Sequence, residues 1–315
     1  MIAHVAEASE GSGRVLFWLE PKALTSASAI DGATRLAAAF GSEIETLVID
    51  DGAISRARQL SVSRLTGSSS GESFSDSTSE ASNVLCEAGR GTGEAGRAIG
   101  QVSRAIGEAD RAMSLLGERQ RRVIETSASA LGVPVHHTIT AGDAIDQLTG
   151  LCLMAGPWNV IALSHEPTSE TAAMVSSIMA NVSGATGVVI AGRGPTRQAG
   201  PIAVVAEDCV RLPSMIRAAE RLRTPGCSIH LFLAAETAAD LCELEAGARL
   251  VATDFDHLIF EASSPTLAIQ GTLDEALRRL EPGYVIARFG GTLLPGAKAL
   301  MRTIALTAAP FLLVR

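Results

Sequence analysis

Short apolar runs alternate with longer segments of helical spacing along most of this chain. The first run, Val15-Leu16-Phe17-Trp18-Leu19, stops at Glu20-Pro21 and predicts a strand. An Ala-rich helical pattern from Leu24 to Phe40, closed by Gly41, leads to a second strand over Glu45–Ile49. After a long gap the rhythm resumes with strand Val135–Thr140, helix Ala144–Met154 and strand Asn159–Ser164, then helix Thr171–Val182 and strand Val188–Ala191. Residues 193–200 read as a linker by composition. Beyond them come strand Ile202–Ala206, helix Leu212–Leu222, strand Ser228–Leu233, helix Ala238–Leu250 and strand His257–Glu261. Helix Leu273–Leu280, strand Tyr284–Arg288, helix Leu293–Leu306 and strand Phe311–Val314 complete the series. Thr272 with Glu275 has the spacing of a capping box.

Strands alternating with helices predict right-handed crossovers and a parallel sheet. The restart after the linker predicts two such units in tandem, one over 1–192 and one over 201–315. Val160-Ile161-Ala162 and Val285-Ile286-Ala287 each precede a loop, an apolar helix and a last apolar strand, an internal echo of that plan.

Residues 52–120 interrupt the pattern in the first unit. Ser61–Ser82 carries ten serines in 22 residues and reads as a disordered loop. A seven-residue repeat follows, with Arg90, Arg97, Arg104 and Arg111, and Gly93, Gly100 and Gly107, each spaced by sevens. On a helix, Ile99, Val102, Ile106, Ala109, Met113 and Leu116 form a heptad seam. Two readings stand beside each other: a helix that pairs across a homodimer, and a long crossover helix lying on its own sheet.

Composition narrows the function. Apolar residues make up 47% of the 315, enough for a sizeable core, and aromatics only 3%, so Ala, Leu, Val and Ile must fill it. The formal charge of −8 argues against a nucleic-acid partner, which needs clustered cations. Five scattered cysteines without a CxxC read as free thiols in a reducing, cytoplasmic setting, and the first residues have neither a basic start nor an apolar run. Thr171–Gly192 is uncharged and of membrane length, but Asn181, its serines and its helical spacing read as a helix feeding a buried strand.

Candidate chemistry is sparse. Gly91-Thr92-Gly93-Glu94-Ala95-Gly96 matches a dinucleotide fingerprint in letters, yet it lacks the preceding buried strand and the later acidic strand end that give the motif its geometry. No P-loop, GxSxG elbow or zinc spacing occurs. His136 and His137 are adjacent, so a strand turns them to opposite faces. His165 follows a predicted strand at the carboxyl edge, where open α/β sheets hold ligands. Asp254, Asp256 and His257 read as a polar turn before a strand.

Four stretches resemble the universal stress protein family in tandem form. Leu131-Gly132-Val133-Pro134-Val135 is similar to its helix-to-strand junction, and Ala141-Gly142-Asp143-Ala144-Ile145 to its glycine turn into the third helix. Trp158–Leu163 resembles the strand before the ligand loop, and Ala308-Ala309-Pro310 followed by Phe311–Val314 resembles the closing strand. The resemblance implies two open parallel-sheet sandwiches of the adenine nucleotide alpha hydrolase type.

ATP-binding members place Gly-x-x-Gly, nine residues and Gly-Ser or Gly-Thr after the fourth strand, and neither half keeps that spacing. The first half has His165-Glu166-Pro167-Thr168-Ser169-Glu170, and the second has Gly290-Gly291-Thr292 and then Gly296. The family's early acidic residue corresponds to Glu20 in one half and Glu207 in the other. The resemblance, with its phosphate loop lost, implies a non-catalytic stress-response or signalling protein, and the heptad seam adds the expectation that it self-associates through Ile99, Val102, Ile106, Met113 and Leu116. The resemblance also implies an alternative, ATP or AMP held by Glu207, Gly290, Gly291 and Thr292, and a more distant one, an electron-transfer flavoprotein-like protein or nucleotide hydrolase.

Overall fold

A computed structural model describes residues 13–20, 25–50, 117–154, 158–164, 166–192, 199–253, 255, 258–261 and 270–315. All of these except 117–121 belong to one compact unit. The serine-rich loop, the seam from Ile99 to Leu116, the Gly91–Gly96 motif, His165, Asp254, Asp256 and His257 lie outside the described residues.

The order of elements begins with β1 (Arg14–Leu19), α1 (Ala27–Ala39) and β2 (Glu43–Asp50). A helix over 117–130, α2, leads to β3 (Val135–Ala141). Then come α3 (Ala144–Met154), β4 (Asn159–Leu163), α4 (Ser169–Asn181) and β5 (Gly187–Ile190). The second series is β6 (Ile202–Ala206), α5 (Leu212–Leu222), β7 (Ile229–Leu233), α6 (Ala238–Ala252) and β8 (Leu258–Glu261). It ends with α7 (Gln270–Leu280), β9 (Tyr284–Arg288), α8 (Ala297–Ala305) and β10 (Phe311–Val314).

The strands form one ten-stranded sheet in the order β3-β2-β1-β4-β5-β10-β9-β6-β7-β8. Each half therefore repeats the same order outward from its last strand, and within each half every pairing is parallel. The halves join at β5 and β10, which pair antiparallel with Phe311 opposite Ile190 and Val314 opposite Gly187. The arrangement is that of a two-fold dimer written into one chain: the same edge of each half-sheet meets its own equivalent.

Alternation along the strands divides the core between the two faces. Val15, Phe17, Ile44, Val204 and Ile286 pack under α1, α2, α5 and α6. Leu16, Leu47, Ile161, Val205 and Leu313 pack under α3, α4, α7 and α8. Equivalent helices also meet across the seam, α1 against α5 and α4 against α8. Three contacts fasten this join: Arg35 Nη1 donates to Gly283 O at 2.9 Å, its guanidinium lies 5.5 Å from the Tyr284 ring centre, and Tyr284 Oη donates to Gly32 O at 3.2 Å.

Many element bounds differ from the sequence expectation by one to three residues, and two differences alter a reading. The helix expected from Leu293 begins at Ala297, because Pro295 disfavours helical backbone at Leu294 and Gly296 is extended. Thr272 lies inside α7, which starts two residues earlier at Gln270, so it is not that helix's cap. The uncharged stretch near Thr171–Gly192 forms α4 and β5, and among the described residues no helix is long and apolar enough to cross a membrane.

Candidate functional site

In each half the connections leave the first strand in opposite directions, so a crevice is expected at the carboxyl ends of β1 and β4, and of β6 and β9. Both crevices are crossed by bonds from the chain itself, and the two sets of bonds differ.

In the second half the turn after β9 is drawn inward. Gly290 has φ +74°, a left-handed conformation that favours glycine, and its amide donates to Leu294 O at 3.1 Å. The turn aims the amides of Thr292 and Leu293 at the end of β6. There they meet the Glu207 carboxylate: Thr292 N donates to Oε2 at 2.6 Å and Leu293 N to Oε1 at 3.1 Å. Gly291 makes the approach possible, since a β-carbon there would overlap the Glu207 carboxylate. The Thr292 hydroxyl points to Glu236 Oε1 at 3.4 Å. Glu207, Gly290, Gly291 and Thr292 thus come together around one anion receptor, and Glu207 is the anion.

A charged row runs beside this loop. Asp208 Oδ1 accepts from Arg211 N and Oδ2 from Arg211 Nη1, both at 2.8 Å, while Arg288 Nη1 reaches the same Oδ2 at 3.5 Å. The row holds the β6–α5 turn to β9 and leaves the cations committed to Asp208.

In the first half hydroxyl and backbone groups do the corresponding work. Ser164 is buried at the end of β4; its Oγ accepts from Glu20 N at 3.2 Å, its carbonyl from Ser26 N at 2.7 Å, and its amide donates to Trp18 O at 3.2 Å. Four residues on, Thr168 and Thr171 form a capping box, with Thr168 N donating to Thr171 Oγ1 at 2.9 Å, and α4 starts at once. Glu166 and Glu170 are exposed there. No glycine turn and no converging pair of amides forms among the described residues of this crevice.

The two adjacent histidines have separate partners. His136 Nε2 lies 3.3 Å from Glu43, and His137 lies between Thr46 Oγ1, 2.6 Å from Nδ1, and Glu125 Oε1, 2.7 Å from Nε2. The hydroxyl–imidazole–carboxylate row has the residue types of an activated nucleophile. Thr46 is buried in β2, however, so the row fastens α2 to the sheet and presents no reactive oxygen to solvent. The sequence gives no sign of this row, because its members are separated by 79 and 12 residues along the chain. Among the described residues no group of three His, Cys, Asp or Glu side chains could hold a metal ion. Burial pushes the Cys152 thiol up to about 11, which makes it a neutral core side chain at physiological pH.

No protein-family model matches the sequence, and no curated protein sequence does. Its structure is similar to a crystal structure of a universal stress protein from Archaeoglobus fulgidus DSM 4304, with a TM-score of 0.54 over 97% of each chain at 12% sequence identity. At that identity the likeness concerns backbone architecture alone. The chain shares, over nearly its whole length, the fold of that universal stress protein.

Proposed function

We propose that the chain is a non-catalytic cytoplasmic protein of the universal stress type, acting in stress response or signalling by self-association and protein contacts. The observation that carries this reading is the Glu207 carboxylate on the amides of Thr292 and Leu293. A phosphate entering there must displace a tethered anion of the same sign and meet Glu236 close by. The first crevice, crossed by Ser164 and flanked by Glu166 and Glu170, supports the same reading.

Titration calorimetry with ATP, and separately AMP, in the presence of Mg²⁺ tests it: no heat up to millimolar ligand is expected for the wild type. Micromolar binding, lost in Gly290→Val and Gly291→Val, would replace this reading with nucleotide sensing through Glu207, Gly290, Gly291 and Thr292. That second reading draws support from the convergence of two amides on an anion in the glycine turn. Self-association is proposed through Ile99, Val102, Ile106, Met113 and Leu116, whose heptad spacing fits a paired helix. Sedimentation of the Ile99→Asp, Ile106→Asp, Met113→Asp variant against the wild type tests it, with a fall from dimer to monomer expected. A yellow purified protein would favour the flavoprotein alternative.

A further inference from the structure

We propose that the seam between the two half-sheets holds a binding site for a small uncharged apolar molecule, separate from the crevices at the strand ends. A cleft of about 280 Å³ opens over β4, β5 and β10, between the end of α1 and the start of α5. Leu36, Phe40, Val160, Met215, Ala218 and Leu312 supply its apolar walls. Trp158 closes one side, its ring centre 5.2 Å from that of Phe40 and its plane tilted by 59°. In a chain with only eight Phe, two Trp and one Tyr, Phe40 and Trp158 are the one close pair of aromatic rings among the described residues, and they set this cleft apart. The cleft is a product of the antiparallel join, because each half contributes one helix and one last strand to it.

The polar groups at the rim decide the class of guest. The Arg211 guanidinium is taken by Asp208 at 2.8 Å and by Arg315 O at 3.0 Å. Ser214 Oγ donates to Arg211 O at 2.7 Å, and Thr186 Oγ1 to Asn159 O at 2.9 Å. The Arg315 side chain turns to the other face of the sheet, where it donates to Val182 O at 3.2 Å and to Met179 O. Arg221 lies over the Phe40 ring at 5.1 Å, but it is exposed and stands outside the lining. A charged head drawn among the lining groups would therefore lose its hydration without a free counter-ion there. An uncharged apolar guest loses nothing comparable and removes the walls from water. At about 30 Å³ for each water-sized unit, the cleft takes on the order of nine non-hydrogen atoms.

Octan-1-ol has this size and chemistry, and octanoate is its charged counterpart. Calorimetry on the full chain is expected to give a Kd on the order of 0.1–1 mM for octanol, at ordinary affinity per atom, with octanoate at least about tenfold weaker. Ala218→Phe, which fills the cleft from α5, is expected to weaken octanol binding at least about tenfold. Ala218→Leu does so to a smaller degree and serves if the larger side chain disturbs folding, which the melting temperature reports. Wild type that takes up no octanol overturns the proposal, as does undiminished binding in a folded Ala218→Phe variant. Octanoate binding as tightly as octanol overturns the uncharged class. Octanol affinity that falls as protein concentration and sedimentation coefficient rise shows a second copy covering the cleft, and also overturns it.

Discussion

The two halves repeat one strand order, yet they close their crevices with different chemistry. In the first, Ser164 and the Thr168–Thr171 box bind the loops together with neutral hydroxyls and backbone groups, and only five residues separate β4 from α4. In the second, an eight-residue turn separates β9 from α8, and the charged Glu207 fills the amides that the turn gathers. A parallel α/β scaffold specifies where a crevice forms, and a few residues after the fourth strand specify what fills it. The seam between the halves differs again along its paired strands: Gly187 opens β5 and Gly192 follows it, while 308–314 contains no glycine.

That seam gives the largest expected effect. A β-carbon at Gly192 would run into the main chain at Ala308, and one at Gly187 would meet Leu313 O at 2.7 Å. Backbone cannot swing aside as a side chain can, so Gly192→Ala is expected to cost about 3 kcal/mol or more. Gly291→Ala meets only the end of the Glu207 side chain, which can rotate away, and is expected to cost about half as much. Urea denaturation of the pair measures the difference. Equal costs would show that the glycine turn constrains the chain as tightly as the seam does.

Removing the group that closes each crevice separates the two halves further. Glu207→Ala leaves two amides without their acceptor in a half-buried turn, a loss of roughly 2 kcal/mol. Ser164→Ala removes one neutral acceptor from Glu20 N, a loss of about 1 kcal/mol. The order, Glu207 above Ser164, is the point at issue, and equilibrium unfolding of both variants reads it directly. If Ser164→Ala costs more, the charged plug in the second half is a weak surface contact and the asymmetry lies elsewhere.

Much of the fold is legible in the sequence, and the reason is local. Ile202–Ala206, Tyr284–Arg288 and Phe311–Val314 carry the bounds expected from their apolar runs, because buried parallel strands are continuous runs cut off by Pro, Gly or charge. The antiparallel join of β5 to β10 is not legible, since an all-apolar strand carries no mark of its direction or of a partner over a hundred residues away. The start of α8 is not legible either, because Leu293 and Leu294 fit the helical spacing while Pro295 and Gly296 override it. The family resemblance points to Glu207 as the counterpart of an early acidic residue, and the structure brings it to the glycine turn. Only the three-dimensional turn shows that its carboxylate takes the amides itself.

The smallest expected effect concerns the one tyrosine, which joins the halves and makes that join pH-dependent. Burial raises the pKa of Tyr284 above the ordinary value of about 10; Arg35 opposes the shift and Asp31 adds to it. A raised folded-state pKa means that the unfolded chain gives up this proton first, so the contribution is complete below about pH 10 and is lost as pH rises further. Cys152, pushed up to about 11 by burial in the first half, begins the same alkaline slope near pH 9 and is unaffected by a change at the tyrosine. Tyr284→Phe removes the bond to Gly32 O and is expected to cost about 1 kcal/mol at pH 8. Above pH 10 that deficit should shrink, because the variant has no phenol to ionise on unfolding, and urea midpoints at pH 8 and pH 10.5 measure it. A deficit that stays constant across that interval would mean that the Tyr284 phenol ionises equally well in the folded chain, and that the join between the halves is open to water at its centre.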